Sequence, residues 1–178
     1  MGLALLLAAA AATATAVGST GTAATVELGR HDRGRAEVIE VIDGDTIEVR
    51  LDGGRHRVRL LGVDAPESVH PTAPVQCFGP EASARLTALL PPGTEVALTR
   101  DVERHDHYDR VLAYVHRADD GLFVNRWLLD QGLADAAFYE PNTTHRAELE
   151  AAAHTARRHG HGLWGVCDGP DQPLDPGS

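Results

Sequence analysis

Lysine is absent: all 16 basic residues of this 178-residue chain are arginine. Every cation is therefore permanently charged and fork-shaped. Basic excess is missing too, because 26 acidic residues leave a formal net charge of -10. That balance excludes a protein that coats nucleic acid by bulk attraction, which needs a basic surface. Any contact with a polyanion must be local, at clustered arginines or through a bound cation that offsets the chain's own carboxylates. Aromatic residues make up only 4% of the chain, so each has a defined place. With 24% charged residues an all-membrane chain is excluded, and the length leaves no room for a second full domain beside one of ordinary size. No internal repeat is present.

The longest stretch without charge is the N-terminus, where residues 1–24 run from a leucine- and alanine-rich segment into small residues. Ala14-Thr15-Ala16 and Thr22-Ala23-Ala24 resemble cleavage sites, although the basic start of a signal peptide is missing. The expectation is an exported protein, secreted or, with the leader uncleaved, tethered to a membrane. Only Cys77 and Cys167 occur. An even count in an exported chain predicts one disulfide, closing a loop of about 90 residues and contributing on the order of 4 kcal/mol.

Residues 25–35 are polar and rich in Arg, His and Gly, and read as a linker; the folded domain is expected over 36–167, with a disordered Pro/Gly/Asp-rich tail over 168–178. β-Branched runs at 36–42 and 46–51 flank Asp43-Gly44-Asp45, a hairpin or tight bulge. Residues 55–63 alternate, with Arg55, Arg57 and Arg59 on one face and His56, Val58 and Leu60 on the other. Gly79-Pro80 opens a helix that Pro91-Pro92-Gly93 closes. Short strands follow at 95–100 and 111–116. Val124, Trp127 and Leu128 mark a second helix ended by Gly132, and a third runs from Asn142 or Thr143 to Gly160. Both tryptophans read as core residues. Three strands, a helix, two strands and two helices fit a small closed barrel.

Four charged segments fall where strand ends and turns are expected: Asp43-Gly44-Asp45-Thr46, Arg59 leading to Asp64, Pro66-Glu67, and Tyr108-Asp109-Arg110. Each alone has an ordinary reading as a turn, a solvated strand face or a loop carboxylate. The first is no EF-hand, since Gly54 stands where the closing Glu belongs. Together they form a coherent set for phosphodiester hydrolysis: oxygen ligands for a hard cation, a base for water, and guanidinium forks for phosphate. Five histidines, at 105, 107, 154, 159 and 161, show no zinc-motif spacing.

Six ordered segments, namely 41–46, 59–67, 79–83, 106–110, 131–134 and 142–145, resemble the staphylococcal nuclease (thermonuclease) family over about Ala36 to Trp164. The resemblance implies an α+β fold, a five-stranded OB-fold β-barrel with three α-helices. It also implies Ca²⁺-dependent cleavage of DNA and RNA at the 5′ oxygen to leave 3′-phosphates. By position, Asp45, Asp64 and the backbone carbonyl of Ala65 would hold Ca²⁺, with Asp43 just outside. Arg59, Glu67 and Arg110 would be catalytic, Glu67 acting on water and the arginines on phosphate. Tyr108 and Tyr139 would contact the nucleotide.

Departures from the family pattern are Ala65 for threonine, His107 for a phosphate-contacting lysine, Asp109 for glycine, and a stretch 135–141 shortened by one residue, with Phe138 in place of a second tyrosine. The competing interpretation is a non-catalytic barrel that binds nucleic acid or a protein. Joint presence of Asp45, Asp64, Glu67, Arg59 and Arg110 favours the enzyme. No stable protein partner is implied, and a monomer is expected.

Overall fold

The computed structural model describes residues 33–69 and 74–174. The expected leader and most of the expected linker lie outside them. Five strands close into a barrel in the order β1-β2-β3-β5-β4: β1 Arg33–Asp43, β2 Thr46–Leu51, β3 Gly54–Leu60, β4 Glu95–Thr99 and β5 Val111–Arg117. All neighbours are antiparallel except β3 and β5. Helix α1 (Gly79–Leu89) lies between β3 and β4, and α2 (Val124–Asp130) and α3 (Arg146–His159) follow β5. A single helical turn, α4 (Leu163–Val166), leads to Cys167. The fold is α+β, a closed five-stranded barrel of the OB type with three helices.

Period-two burial explains the barrel wall. Val38, Ile47, Val49, Val58, Val96 and Leu98 point inward and are fully or almost fully buried, while Glu37, Glu48, Arg57 and Glu95 beside them reach water. Helices close the barrel with Leu86 from α1, Leu128 and Leu129 from α2, and Leu149 with Ala152 and Ala153 from α3. Buried Asn125 ties α2 to the barrel: its Oδ1 accepts the Val115 N–H at 2.8 Å, and its Nδ2 donates to the Leu61 carbonyl at 2.8 Å. Both bonds satisfy polar atoms that would otherwise be costly inside. Both tryptophans are partly buried, Trp127 against the core and Trp164 beneath the Arg157 guanidinium.

Several boundaries differ from the sequence reading. β1 starts at Arg33, within the segment read as linker, because residues 33–37 pair with 95–99 of β4. β3 ends at Leu60, before Val63, since Gly62 turns the chain with φ +72°. α3 starts at Arg146 because Asn142 and Thr144 are engaged elsewhere: Asn142 exchanges two hydrogen bonds with the Glu103 backbone, and Thr144 bonds Asp101. Residues 171–174, read as disordered, pack back on 75–77. There the Cys77 N–H donates to the Gln172 carbonyl at 2.8 Å and the Leu174 N–H to the Val75 carbonyl at 3.0 Å. Cys77 and Cys167 form the expected disulfide, with Cα atoms 5.9 Å apart.

Candidate active site

The β1–β2 turn brings the first carboxylates into place. Asp43 pairs with Thr46 across Gly44-Asp45, and a Cβ on Gly44 would fall 2.6 Å from the Ala65 Cβ. Only glycine lets the turn lie this close to the segment that follows β3. Asp45 is consequently buried. Its Oδ1 accepts the Thr46 hydroxyl at 2.9 Å and its Oδ2 the Ala65 N–H at 3.1 Å.

Arg59, opposite Thr46 in register, links that turn to Asp64. Its Nη1 lies 2.9 Å from Asp45 Oδ2, and its Nη2 donates to Asp64 Oδ1 at 2.8 Å. A further Nη1 bond, at 2.6 Å, reaches the Val63 carbonyl. Asp64 is anchored independently, because it exchanges two backbone hydrogen bonds of 2.9 Å with Asp135. Arg157 in turn holds the Asp135 carboxylate. Burial raises the Asp64 carboxyl above the ordinary carboxylate value; Arg59 opposes the rise, and the charges of Asp45 and Asp171 add to it.

Glu67 and Asp43 form a second carboxylate pair beside the first. Asp43 is pushed up to about 6, chiefly by burial and further by the adjacent Glu67, although bonds from Ser68 and Gly44 pull the other way. Glu67 Oε1 accepts the Val69 N–H at 2.8 Å. Ser68, which belongs to none of the sequence motifs, donates its hydroxyl to Asp43 Oδ1.

Arg110 enters from the turn before β5. Asp106 organises that turn: Oδ1 accepts the Tyr108 and Arg110 N–H groups at 3.0 and 2.9 Å, and Oδ2 accepts Arg110 Nε at 2.7 Å. The Asp106 carboxyl lies below its ordinary value, because these bonds and the Arg110 charge outweigh the opposing effect of burial. The guanidinium sits 5.3 Å from the centre of the Tyr108 ring. Asp106 opens the 106–110 segment, in which the family resemblance assigns it no role. The signal for one was its place ahead of a turn, where Asp side chains bond backbone N–H groups two residues on.

Arg59 and Arg110 face one cleft of about 520 Å³, with Leu60, Val63 and Leu112 in its wall and His107 and Tyr139 also lining it. Two forks on an apolar-walled cleft suit an anion presented with a larger, flatter group. Asp45, Asp64 and Glu67 do not line this cleft; the carboxylate pair of Asp45 and Asp64 meets it through Arg59. Tyr108 and Tyr139 are both exposed, at 70% and 74%, and the His107 ring lies against Tyr108 at 3.8 Å between centres. Asn142, also in the cleft, is fixed by its two bonds to Glu103.

The family profile described as "Staphylococcal nuclease homologue" matches residues 57–166, well over half of the chain. The chain belongs to the staphylococcal nuclease family. Among curated relatives, the thermonuclease of Staphylococcus intermedius is 41% identical over 133 residues, covering 74% of this chain and 77% of that protein. The thermonuclease of Staphylococcus hyicus is also 41% identical, over 128 residues, covering 72% and 74%. Endonuclease YncB of Bacillus subtilis is 36% identical over 140 residues, covering 75% and 65%. Arg59, Asp64, Glu67 and Arg110 fall within the family match, while Asp43 and Asp45 precede it.

Proposed function

We propose that this chain is an exported, calcium-dependent nuclease that hydrolyses phosphodiester bonds of DNA and RNA at the 5′ oxygen, leaving 3′-phosphates. The observation that carries this reading is Arg59 bound between Asp45 and Asp64 on a cleft that Arg110 shares. Family membership and relatives named thermonuclease and endonuclease support the reaction class.

The donor chemistry fits calcium. Asp45 and Asp64 reach the same guanidinium, so they already converge on one positive charge. All their donor atoms are oxygen, the preference of a hard cation. Among the described residues no group of three or more His, Cys, Asp or Glu side chains forms a complete metal site. By the family resemblance two carboxylates, the Ala65 carbonyl and solvent would make up the shell, a composition that calcium accepts. When bound, the ion supplies positive charge at the scissile phosphate.

The remaining work falls to side chains. Glu67 accepts a proton from the attacking water. Arg59 turns from the carboxylates to the phosphate oxygens, and Arg110, held at Nε by Asp106, meets the same group as its negative charge develops. Tyr108, Tyr139 and His107 contact the nucleotide. Export is supported by the uncharged N-terminal stretch and by a disulfide, which persists in oxidising compartments.

End-group analysis of products from a 5′-labelled oligonucleotide tests the bond cleaved. Fragments carrying a 3′-phosphate, removable by phosphatase, are expected from both DNA and RNA; 3′-hydroxyl ends would overturn the assignment.

A further inference from the structure

Glu67 carries its chemistry on a side chain, but three separate contacts fix its backbone. Its N–H donates to the side-chain Oε1 of Gln76 at 2.7 Å, and its carbonyl accepts the Gln76 N–H at 2.8 Å. On the other side α1 begins at Gly79, where a Cβ would fall 2.5 Å from the Glu67 carbonyl oxygen. Gln76 therefore grips Glu67 at both polar groups of its peptide backbone.

Gln76 is held in turn from the far end of the chain. Its Nε2 donates to Asp171 Oδ1 at 3.2 Å. Residues 171–174 lie antiparallel to 75–77, with Cys77 bonded to the Gln172 carbonyl and Leu174 to the Val75 carbonyl. Cys77, next to Gln76, is linked to Cys167, four residues before Asp171. The C-terminal segment is thereby fastened both covalently and by main-chain bonds to the stretch that fixes Glu67.

We propose that Gln76 is a positioning residue for Glu67, and that the C-terminal segment 171–174, secured by the Cys77–Cys167 disulfide, holds Gln76 in place. The inference rests on Glu67 being the proton acceptor. A backbone held at two points sets where the Glu67 carboxylate stands relative to the phosphate, and a displacement of 1 Å in such a group can cost on the order of 10²-fold in rate. A residue acting this way changes kcat and leaves substrate binding alone, because Arg59 and Arg110 belong to other elements. Asp171 also places its charge near Asp64, so its removal reaches the cation's carboxylates as well as Gln76, and saturating Ca²⁺ separates the two effects.

The test measures kcat, KM and Tm at saturating Ca²⁺ in the full-length chain for Gln76→Ala, the swap Gln76→Glu/Asp171→Asn, Asp171→Ala and the double variant Cys77→Ser/Cys167→Ser, beside wild type and Glu67→Gln, all well below the lowest Tm. Gln76→Ala is expected to lower kcat about 10- to 100-fold with KM within about twofold. Gln76→Glu alone keeps the acceptor for the Glu67 N–H but sets a carboxylate against Asp171, whereas the swap Gln76→Glu/Asp171→Asn restores both bonds with the second donor reversed and is expected to recover most of that loss. Asp171→Ala and the cysteine double variant are expected to lower kcat less, again at unchanged KM. Folded Gln76→Ala with wild-type kcat would overturn the proposal, as would a loss that appears only in KM or that the Gln76→Glu/Asp171→Asn swap fails to recover. Failure of the parent reading looks different: Glu67→Gln would then retain full activity, whatever Gln76 does.

Discussion

Arg59 Nη1 stands 2.9 Å from Asp45 Oδ2, with both side chains more than four-fifths withdrawn from solvent. The same guanidinium holds Asp64, so the phosphate-binding fork and the cation's carboxylates share one network. A buried charge that loses its partner is expensive, roughly 3 to 5 kcal/mol. Arg59→Ala should therefore lower stability by about 3 kcal/mol without Ca²⁺. In that variant Ca²⁺ should raise Tm more than in wild type, since the ion then compensates two unpaired carboxylates; thermal melts with and without Ca²⁺ measure both effects.

Arg59→Lys keeps the charge and loses the fork. A lysine can satisfy one carboxylate but cannot present two parallel donors to a phosphate. The expected result is a 10²- to 10³-fold fall in kcat, the range for removing one transition-state donor. Steady-state kinetics within threefold of wild type would refute the role.

Asp109 adopts φ +61°, the left-handed region where a Cβ is strained and glycine is at ease. This accounts for the glycine expected there and identifies a cost in the present chain. Asp109→Gly should leave stability unchanged or raise it by up to about 1 kcal/mol, because relieved strain is offset by greater freedom of the unfolded chain. It also removes a negative charge beside Arg110. KM for a polynucleotide should drop, and more at low salt than at high salt.

Much of this was legible in the sequence because it depends on local rules. The turn at Gly44-Asp45, the alternation of β3 through Arg59 and the helix opened by Gly79-Pro80 all carry their own signals. What was missed depends on pairing across the chain. Residues 171–174 have the composition of a disordered tail, yet they are ordered by main-chain bonds to 75–77 and by the nearby disulfide. Arg33 to Arg35 look like linker because their strand character comes from β4. Gln76 carries no motif at all; its contacts with Glu67 and Asp171 exist only once three segments meet.

Acid stability should track two carboxylates. At Asp101, bonds from the Thr144 N–H and hydroxyl, the Tyr114 hydroxyl and the Val102 N–H outweigh burial and hold the carboxyl below its ordinary value; Asp106 is lowered in the same way by Tyr108 and Arg110. A group depressed on folding contributes stability above its unfolded pKa, about 4, and loses it as pH falls through the folded value. Through these two groups Tm should fall below about pH 4, whereas Asp43, raised to about 6, acts in the opposite sense and withdraws stability as pH rises through that value. Asp101→Asn should lower Tm at neutral pH and flatten the acid limb; an unchanged limb would contradict the assignment.

The cysteine bridge closes a 90-residue separation, for which the chain-entropy model gives roughly 4 to 5 kcal/mol. Reduction should lower Tm accordingly. Alkylation of unfolded protein without reductant should add no mass, and two added alkyl groups would show the bridge to be absent.

Metal-assisted hydrolysis with Glu67 taking the proton requires both the cation and the carboxylate. Its most direct measurement is cleavage of single-stranded DNA with Ca²⁺, then with a calcium chelator, beside Glu67→Gln in Ca²⁺. Rapid cleavage is expected only from the wild-type chain with Ca²⁺, with at least about a 10²-fold loss in the other two arms. Undiminished cleavage in the chelator, or by Glu67→Gln, would contradict it.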